Sequence, residues 1–250
     1  MARVLLLGES WFVYSAHQKG FDAFYTSEYT EDGAAFIAAL EAAGHEVSRI
    51  PAHRISVDLP RSAAGIAAIA DVVVVSDVGA NTFLLGADTF QRSLPGPDLI
   101  EGLRDFVLQG GGLLMVGGYL SFSGIDAKAR WGRSALAEVL PVTVLDRDDR
   151  VEMPSGPSPR VATPHAITEG LDQEWPSLLG INEVSARDDA RVLATVREHP
   201  LLVIGAAGLG RSAAFTSDLA PHWATPAFLE WPGYAQVFDR TVRWLDGSID

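Results

Sequence analysis

The chain of 250 residues contains no cysteine. Disulfides, thiolate metal sites and thiol nucleophiles are thereby excluded, because each needs a sulfur the sequence does not supply. Basic residues are in short supply: 19 Lys and Arg stand against 32 Asp and Glu, giving a formal charge of −13. No dense basic run occurs, and Arg147 and Arg150 sit among Asp146, Asp148 and Asp149. A nucleic-acid backbone demands clustered cations, so no nucleic-acid partner is expected. Long apolar runs are missing too. None approaches the ~18 residues of a membrane span, so no membrane partner is expected. The first apolar run, Val4–Leu7, is too short for the core of a signal segment. It reads better as a strand, which makes the cytoplasm the expected location.

What is present is the composition of an ordinary globular protein, 48% hydrophobic and 20% charged, long enough for one substantial core. Val4–Leu7, Asp71–Ser76 and Leu113–Val116 are uninterrupted apolar runs, as expected of parallel strands buried on both faces. Glu46–Ile50 reads as a further strand. Between them, Asp32–Ala43, Ala63–Ala70 and Leu99–Gln109 read as helices, the first closed by Gly44 and the last by Gly110–Gly112. This alternation predicts an open, mainly parallel α/β sheet of flavodoxin-like type, with ligands at the carboxyl ends of its strands. After Leu140-Pro141 the pattern changes. Val142–Val151 is short and acidic, and Met153–Pro164 carries four prolines and reads as loop. Val192–Thr195, Leu201–Ile204 and Ser212–Ser217 read as short strands, the last two joined by a Gly-rich turn at 206–210, and Tyr234–Leu245 reads as a closing helix. One domain over 1–250 is expected, with an α/β core at 1–140 and a β-rich portion at 141–250.

Five segments carry a family resemblance: Leu6–Trp11, Lys19–Asp22, Ser76–Thr82, Gly117–Phe122 and Phe215–Trp223. On them the chain resembles the class I glutamine amidotransferase-like superfamily. More narrowly, it is similar to uncharacterised bacterial cytoplasmic proteins of that type, from about Arg3 to Leu245. Pro164–Leu171 and Gly208–Ser212 also resemble the trehalose-utilisation type, which points toward carbohydrates. The resemblance implies a sharp strand-to-helix turn at Gly117–Ser121, where the superfamily presents a nucleophilic cysteine completed by a later His and Glu. Here Tyr119 stands at the cysteine position, and His222 is followed by Trp223 and Ala224, with Glu230 the next carboxylate. Glutaminase chemistry is therefore not expected.

Glu9, Asp77 and Tyr119 each follow a predicted parallel strand and are expected on one rim, with His222 joining them from the loop after Ser212–Ser217. These four are the candidate catalytic residues. A carboxylate at a strand end serves as general base, hydroxyl acceptor or metal ligand; it can equally cap a neighbouring loop. Tyr119 could donate to a developing oxyanion or simply fill the space left by cysteine, and no adjacent cation is evident to activate it as a nucleophile. Ser10, Trp11, Asn81, Gly118, Ser121, Asp218, Trp223 and Glu230 are the candidate ligand contacts. Trp11 and Trp223 are read as loop residues whose faces suit a sugar, or else as core plugs. His17 is placed in the loop after the first strand, within reach of the same rim. The histidines lack the close spacing of a zinc motif, and no metal or cofactor is expected. Two functional readings follow. One is a protein that binds or transforms a small polar metabolite, a carbohydrate derivative foremost. The other is a non-catalytic ligand-binding or subunit-assembly protein, with a homo-oligomer as the partner it admits.

Overall fold

Three of the strands announced by apolar runs form the middle of one sheet. In the computed structural model, which describes all 250 residues from Met1 to Asp250, the chain begins with β1 (Arg3–Gly8), β2 (Ser10–Lys19) and β3 (Asp22–Glu31). It continues through α1 (Ala34–Ala42), β4 (Glu46–Ile50), α2 (Ile55–Asp58), α3 (Ala63–Ile69) and β5 (Val72–Ser76). Next come α4 (Asn81–Leu84), α5 (Ala87–Arg92), α6 (Leu99–Leu108) and β6 (Gly112–Val116). The short strands β7 (Val142–Val144), β8 (Arg150–Glu152), β9 (Arg160–Val161), β10 (Gly180–Asn182) and β11 (Val184–Ala186) lead to β12 (Arg191–Val196), β13 (His199–Ala207) and β14 (Gly210–Phe215). The helices α7 (Pro226–Leu229) and α8 (Pro232–Leu245) close the chain.

The central sheet has eight strands in the order β4-β1-β5-β6-β14-β13-β12-β9. The first five are mutually parallel, and β13, β12 and β9 extend the sheet antiparallel. This is the α/β architecture the sequence predicts, with Val4–Leu7, Val72–Ser76 and Leu113–Val116 parallel and internal. Alternate residues explain the uninterrupted runs. Val4, Leu6, Val72, Val74, Leu114 and Val116 point into a core shared with Phe36, Leu40, Val237 and Phe238 of α1 and α8. Leu5, Leu7, Val73, Val75, Leu113 and Met115 point into a second core shared with Ile66 and Leu103 of α3 and α6. With both faces covered, no polar position is tolerated between them. Truncating a fully buried residue such as Leu114 to Ala would cost about 2–5 kcal/mol.

One element departs from the sequence reading. Residues 10–31 are not a loop but a two-stranded ribbon, β2 against β3, paired from Ser10↔Glu31 to Lys19↔Asp22. Gly20 and Phe21 make its two-residue turn, with Gly20 at φ 67°, the left-handed value such a turn requires at its first position. Trp11 is therefore a strand residue. His17 does not reach the rim; it lies out along the ribbon, its ring stacked on Phe24 with centroids 4.4 Å apart.

Candidate active site at the strand carboxyl ends

The strand order changes direction between β1 and β5: the chain leaves β1 for β4 on one side and leaves β5 for β6 on the other. In open α/β sheets such a switch opens a crevice at the carboxyl ends. Glu9 follows β1 and Asp77 follows β5, so the two carboxylates flank the switch point. The next strand ends in the sheet, those of β6 and β14, deliver Tyr119 and the loop from Asp218 to His222. A cavity of about 430 Å³ opens here, and Glu9, Ser10, Trp11, Asp77, Tyr119, Asp218 and His222 all contribute to its lining.

Three of these residues hold unusual backbone. Glu9 has φ 48°, Asp77 φ 41° and His222 φ 131°, all in the region that favours glycine. Each such residue costs about 1 kcal/mol or more, so the surrounding contacts must enforce it. The contacts are visible. The Glu9 N–H donates to Ser76 O (3.1 Å), and the Asp32 N–H donates to Glu9 O (3.0 Å). The Asp77 N–H donates to Ser121 Oγ (3.2 Å), while the Leu120 N–H donates to Asp77 Oδ1 (2.7 Å). Gly118, at φ 144°, leaves room for this carboxylate: a Cβ there would lie 2.7 Å from Asp77 Oδ1. The turn itself is held from below. The Gly118 N–H donates to Asn182 Oδ1 (2.9 Å), and Asn182 Nδ2 donates to Asp149 Oδ1 (2.8 Å). Asp149 also accepts the N–H groups of Ser123 and Gly124, each at 2.8 Å.

The electrostatics follow from burial. Glu9 is 1% exposed, and its Oε1 accepts from Ser76 Oγ at 2.5 Å. Burial pushes its pKa well above the ordinary carboxylate value, and the charge of Asp218 adds to the shift. Burial also raises Asp77, to about 6, against the stabilising Leu120 N–H. Asp218 is raised by burial and held back by the neighbouring His222 imidazole and by the Ala220 N–H, which donates to its Oδ1. His222 Nδ1 lies 3.7 Å from Asp218 Oδ2, and that partner raises the imidazole, aided by the charges of Glu152 and Asp77. Close carboxylates cannot all ionise freely, so the charges of Asp218 and Asp77 add to the effect of burial on Glu9.

Tyr119 forms a wall and does not plug the cavity. Its ring meets His222 edge-on, with centroids 4.3 Å apart, and leans toward Trp223 at 5.8 Å. Glu152 on β8 binds both: it accepts from the Tyr119 hydroxyl and from Trp223 Nε1, each at 3.1 Å. The absence of a cation near Tyr119 is corrected by the structure: the Arg150 guanidinium, also from β8, lies 4.7 Å from the ring centroid. Sequence distance hid it.

The remaining candidates take other places. Trp223 is buried beneath Tyr119, and Ser121 is buried with its hydroxyl on the Asp77 backbone. Asn81 opens α4 at the surface, and its neighbour Thr82 is the one lining the cavity. Glu230 is exposed beyond α7 and does not line the cavity. Reading the sequence missed Glu152, Arg150, Asn182 and Asp149, which reach the site from short strands and loops with no periodic signal. No three His, Asp or Glu side chains gather in metal-ligating geometry, and no helix is long and apolar enough to cross a membrane.

Comparison with known proteins agrees with this architecture. Two solved structures, cytoplasmic protein STM3548 of Salmonella typhimurium and cytoplasmic protein STM1381 of Salmonella typhimurium LT2, are 42% and 43% identical to the chain. Each alignment covers 97% of this chain and 98% of the other, with TM-scores of 0.94 and 0.93. A ThuA-like protein of Parabacteroides merdae shares the fold at 11% identity, over 99% of this chain and 91% of that one, with a TM-score of 0.58. No curated protein matches. The family model described as "putative glutamine amidotransferase" matches residues 3–247, and the chain belongs to this glutamine amidotransferase-like family.

Proposed function

We propose that the crevice at the ends of β1, β5, β6 and β14 binds a small polar metabolite, a carbohydrate derivative foremost, and that Asp77 and His222 act on it as base and acid. The observation that carries this reading is the gathering of Glu9, Asp77, Asp218 and His222 on one open cavity, three of them on costly backbone. Such outliers persist where function needs them. With a pKa of about 6, Asp77 is mostly ionised at neutral pH, while Asp218 raises the pKa of His222 and favours its protonated form. One cavity thus holds a base and an acid together. Glu9, whose neutral form burial favours, adds a hydrogen-bond donor when protonated. Trp11 and Tyr119 supply aromatic faces for the C–H side of a sugar, and the carboxylates accept from its hydroxyls.

With no cysteine there is no thioester route, so glutaminase activity is not part of this function. We place the chain in the cytoplasm, where the names of the two Salmonella relatives place those proteins. The chemistry proposed needs no cofactor. The second reading, subunit assembly, is favoured by a different region, the exposed ribbon 10–31.

A thermal-shift screen of monosaccharides, sugar acids, amino sugars and polyols tests the proposal. At least one compound is expected to raise the melting temperature of the wild type, and not of Asp77→Asn or His222→Ala. The unliganded His222→Ala variant should melt close to wild type, because His222 is a surface loop side chain. Equal shifts in all three proteins, or none from any compound in the panel, would count against the site.

A further inference from the structure

One face of the ribbon β2–β3 is free of charge beyond its base, and that face is uncovered. The register puts Phe12, Tyr14 and Ala16 on one face with Ala23, Tyr25, Ser27 and Tyr29, and no charged side chain lies on that face between Gln18 and Glu31. The opposite face carries the charges of Lys19, Asp22 and Glu28 together with Trp11, Val13 and Phe24. Aromatic side chains with no charge among them are the kind a protein surface covers. Yet Phe12 is 48% exposed, Tyr14 78%, Tyr25 79%, Tyr29 39% and the tip residue Phe21 fully exposed. The ribbon touches the body only at its base. There Phe12 and Tyr29 pack on His53, with centroids 5.7 and 5.2 Å apart, and Arg49 pairs with Glu31 at 3.2 Å. Beyond the base, its side-chain hydrogen bonds are internal, His17 to Thr26 and Gln18 to Gly20. A lone two-stranded ribbon is at best marginal in water.

We infer that the uncharged aromatic face of this ribbon is an interface with a second copy of the chain. Two observations single out that occupant. At roughly 200 Å² per aromatic side chain, the face and its tip expose on the order of 700 Å². That approaches the ~800 Å² per partner of a standard interface, and it exceeds the largest apolar patch of a typical monomer, ~300–600 Å². The chain as a whole carries −13, so two copies meet with least repulsion through a surface that carries no charge. A two-fold contact sets the same face against its equivalent and covers both at once.

Sedimentation velocity on the full chain tests this. The wild type is expected to run at twice 26.7 kDa at ten micromolar scale, ~10 μM, a concentration at which an interface of this size is populated. The double variant Tyr14→Lys, Tyr25→Lys is expected to run as a monomer with unchanged far-UV circular dichroism. Because the chain has no cysteine, Ala16→Cys supplies a unique thiol on the same face, and a spin label there should report an intermolecular distance. A monomeric wild type overturns the inference, whether or not it floats with neutral phosphatidylcholine vesicles. So does a double variant that keeps the wild-type mass. Should the double variant fail to fold, absence of an intermolecular distance from the labelled Ala16→Cys protein overturns it independently.

Discussion

The rim of the central sheet and the ribbon that springs from it invert the usual burial rule in opposite senses. At the rim, Glu9, Ser76, Asp149, Asn182 and Asp218 are polar and buried. Along the ribbon, which starts one residue after Glu9, Phe12, Tyr14, Phe21 and Tyr25 are apolar and exposed. The rim holds its polar groups in a dense hydrogen-bond set and accepts left-handed backbone at three non-glycine positions. The ribbon has regular pairing and positive φ only at its turn glycine. The rim's left-handed backbone and the ribbon's exposed aromatics do not stabilise the monomer, so each is better explained by what it meets: a ligand at the rim, another protein surface on the ribbon. The rim's buried hydrogen bonds do stabilise it. Stability effects should therefore be large at the rim and negligible along the ribbon.

The sharpest contrast is expected from Asn182→Leu. It leaves the Gly118 N–H without a partner and removes a donor from buried Asp149, so a loss of about 2–4 kcal/mol is expected by urea denaturation. A loss under about 0.5 kcal/mol, the scale of a neutral surface change, would mean the network does not hold the rim.

A change of the opposite sign is expected from Glu9→Gln. Burial raises the Glu9 pKa in the folded chain, so between the ordinary value and the raised one the folded state binds more protons than the unfolded. That contribution to stability is full at acid pH and is lost as pH rises through the folded value. The amide cannot ionise, so the variant should match wild type near pH 4 and exceed it at pH 8 by on the order of 1 kcal/mol, since one pKa unit is worth ~1.4 kcal/mol. Denaturation curves at the two pH values check this; a variant weaker at pH 8 would show that Glu9 is held as an anion.

The smallest effect belongs to the ribbon tip. Phe21→Ser removes a side chain that touches nothing in the monomer, and a change within about 0.5 kcal/mol is expected. A larger loss, measured at a concentration where the chain is monomeric, would show that the ribbon is a structural part of the fold.

How much of this could be read in the sequence depends on the range of the interactions. Val4–Leu7, Val72–Ser76 and Leu113–Val116 were legible because burial on both faces writes itself as an unbroken apolar run. Glu9 and Asp77 were legible as neighbours because each follows such a run in a parallel sheet. The ribbon carried a local signal too, a two-residue Gly20-Phe21 turn between alternating aromatic strands, which the loop reading passed over. Arg150, Glu152 and Asn182 left no such trace. They come from strands of three residues, β8 and β10, too short for periodicity, and only the pairing of those strands brings them under Tyr119.

The central claim is that buried carboxylates and His222 form one coupled acid–base unit, and a proton NMR titration of His222 tests it most directly. Its ring signal is identified by its disappearance in His222→Ala. The account predicts a midpoint above 6.5 in the wild type, because Asp218 favours the imidazolium, and a lower midpoint in Asp218→Asn. A midpoint at or below 6.5 in the wild type, or one that Asp218→Asn leaves unmoved, would contradict it.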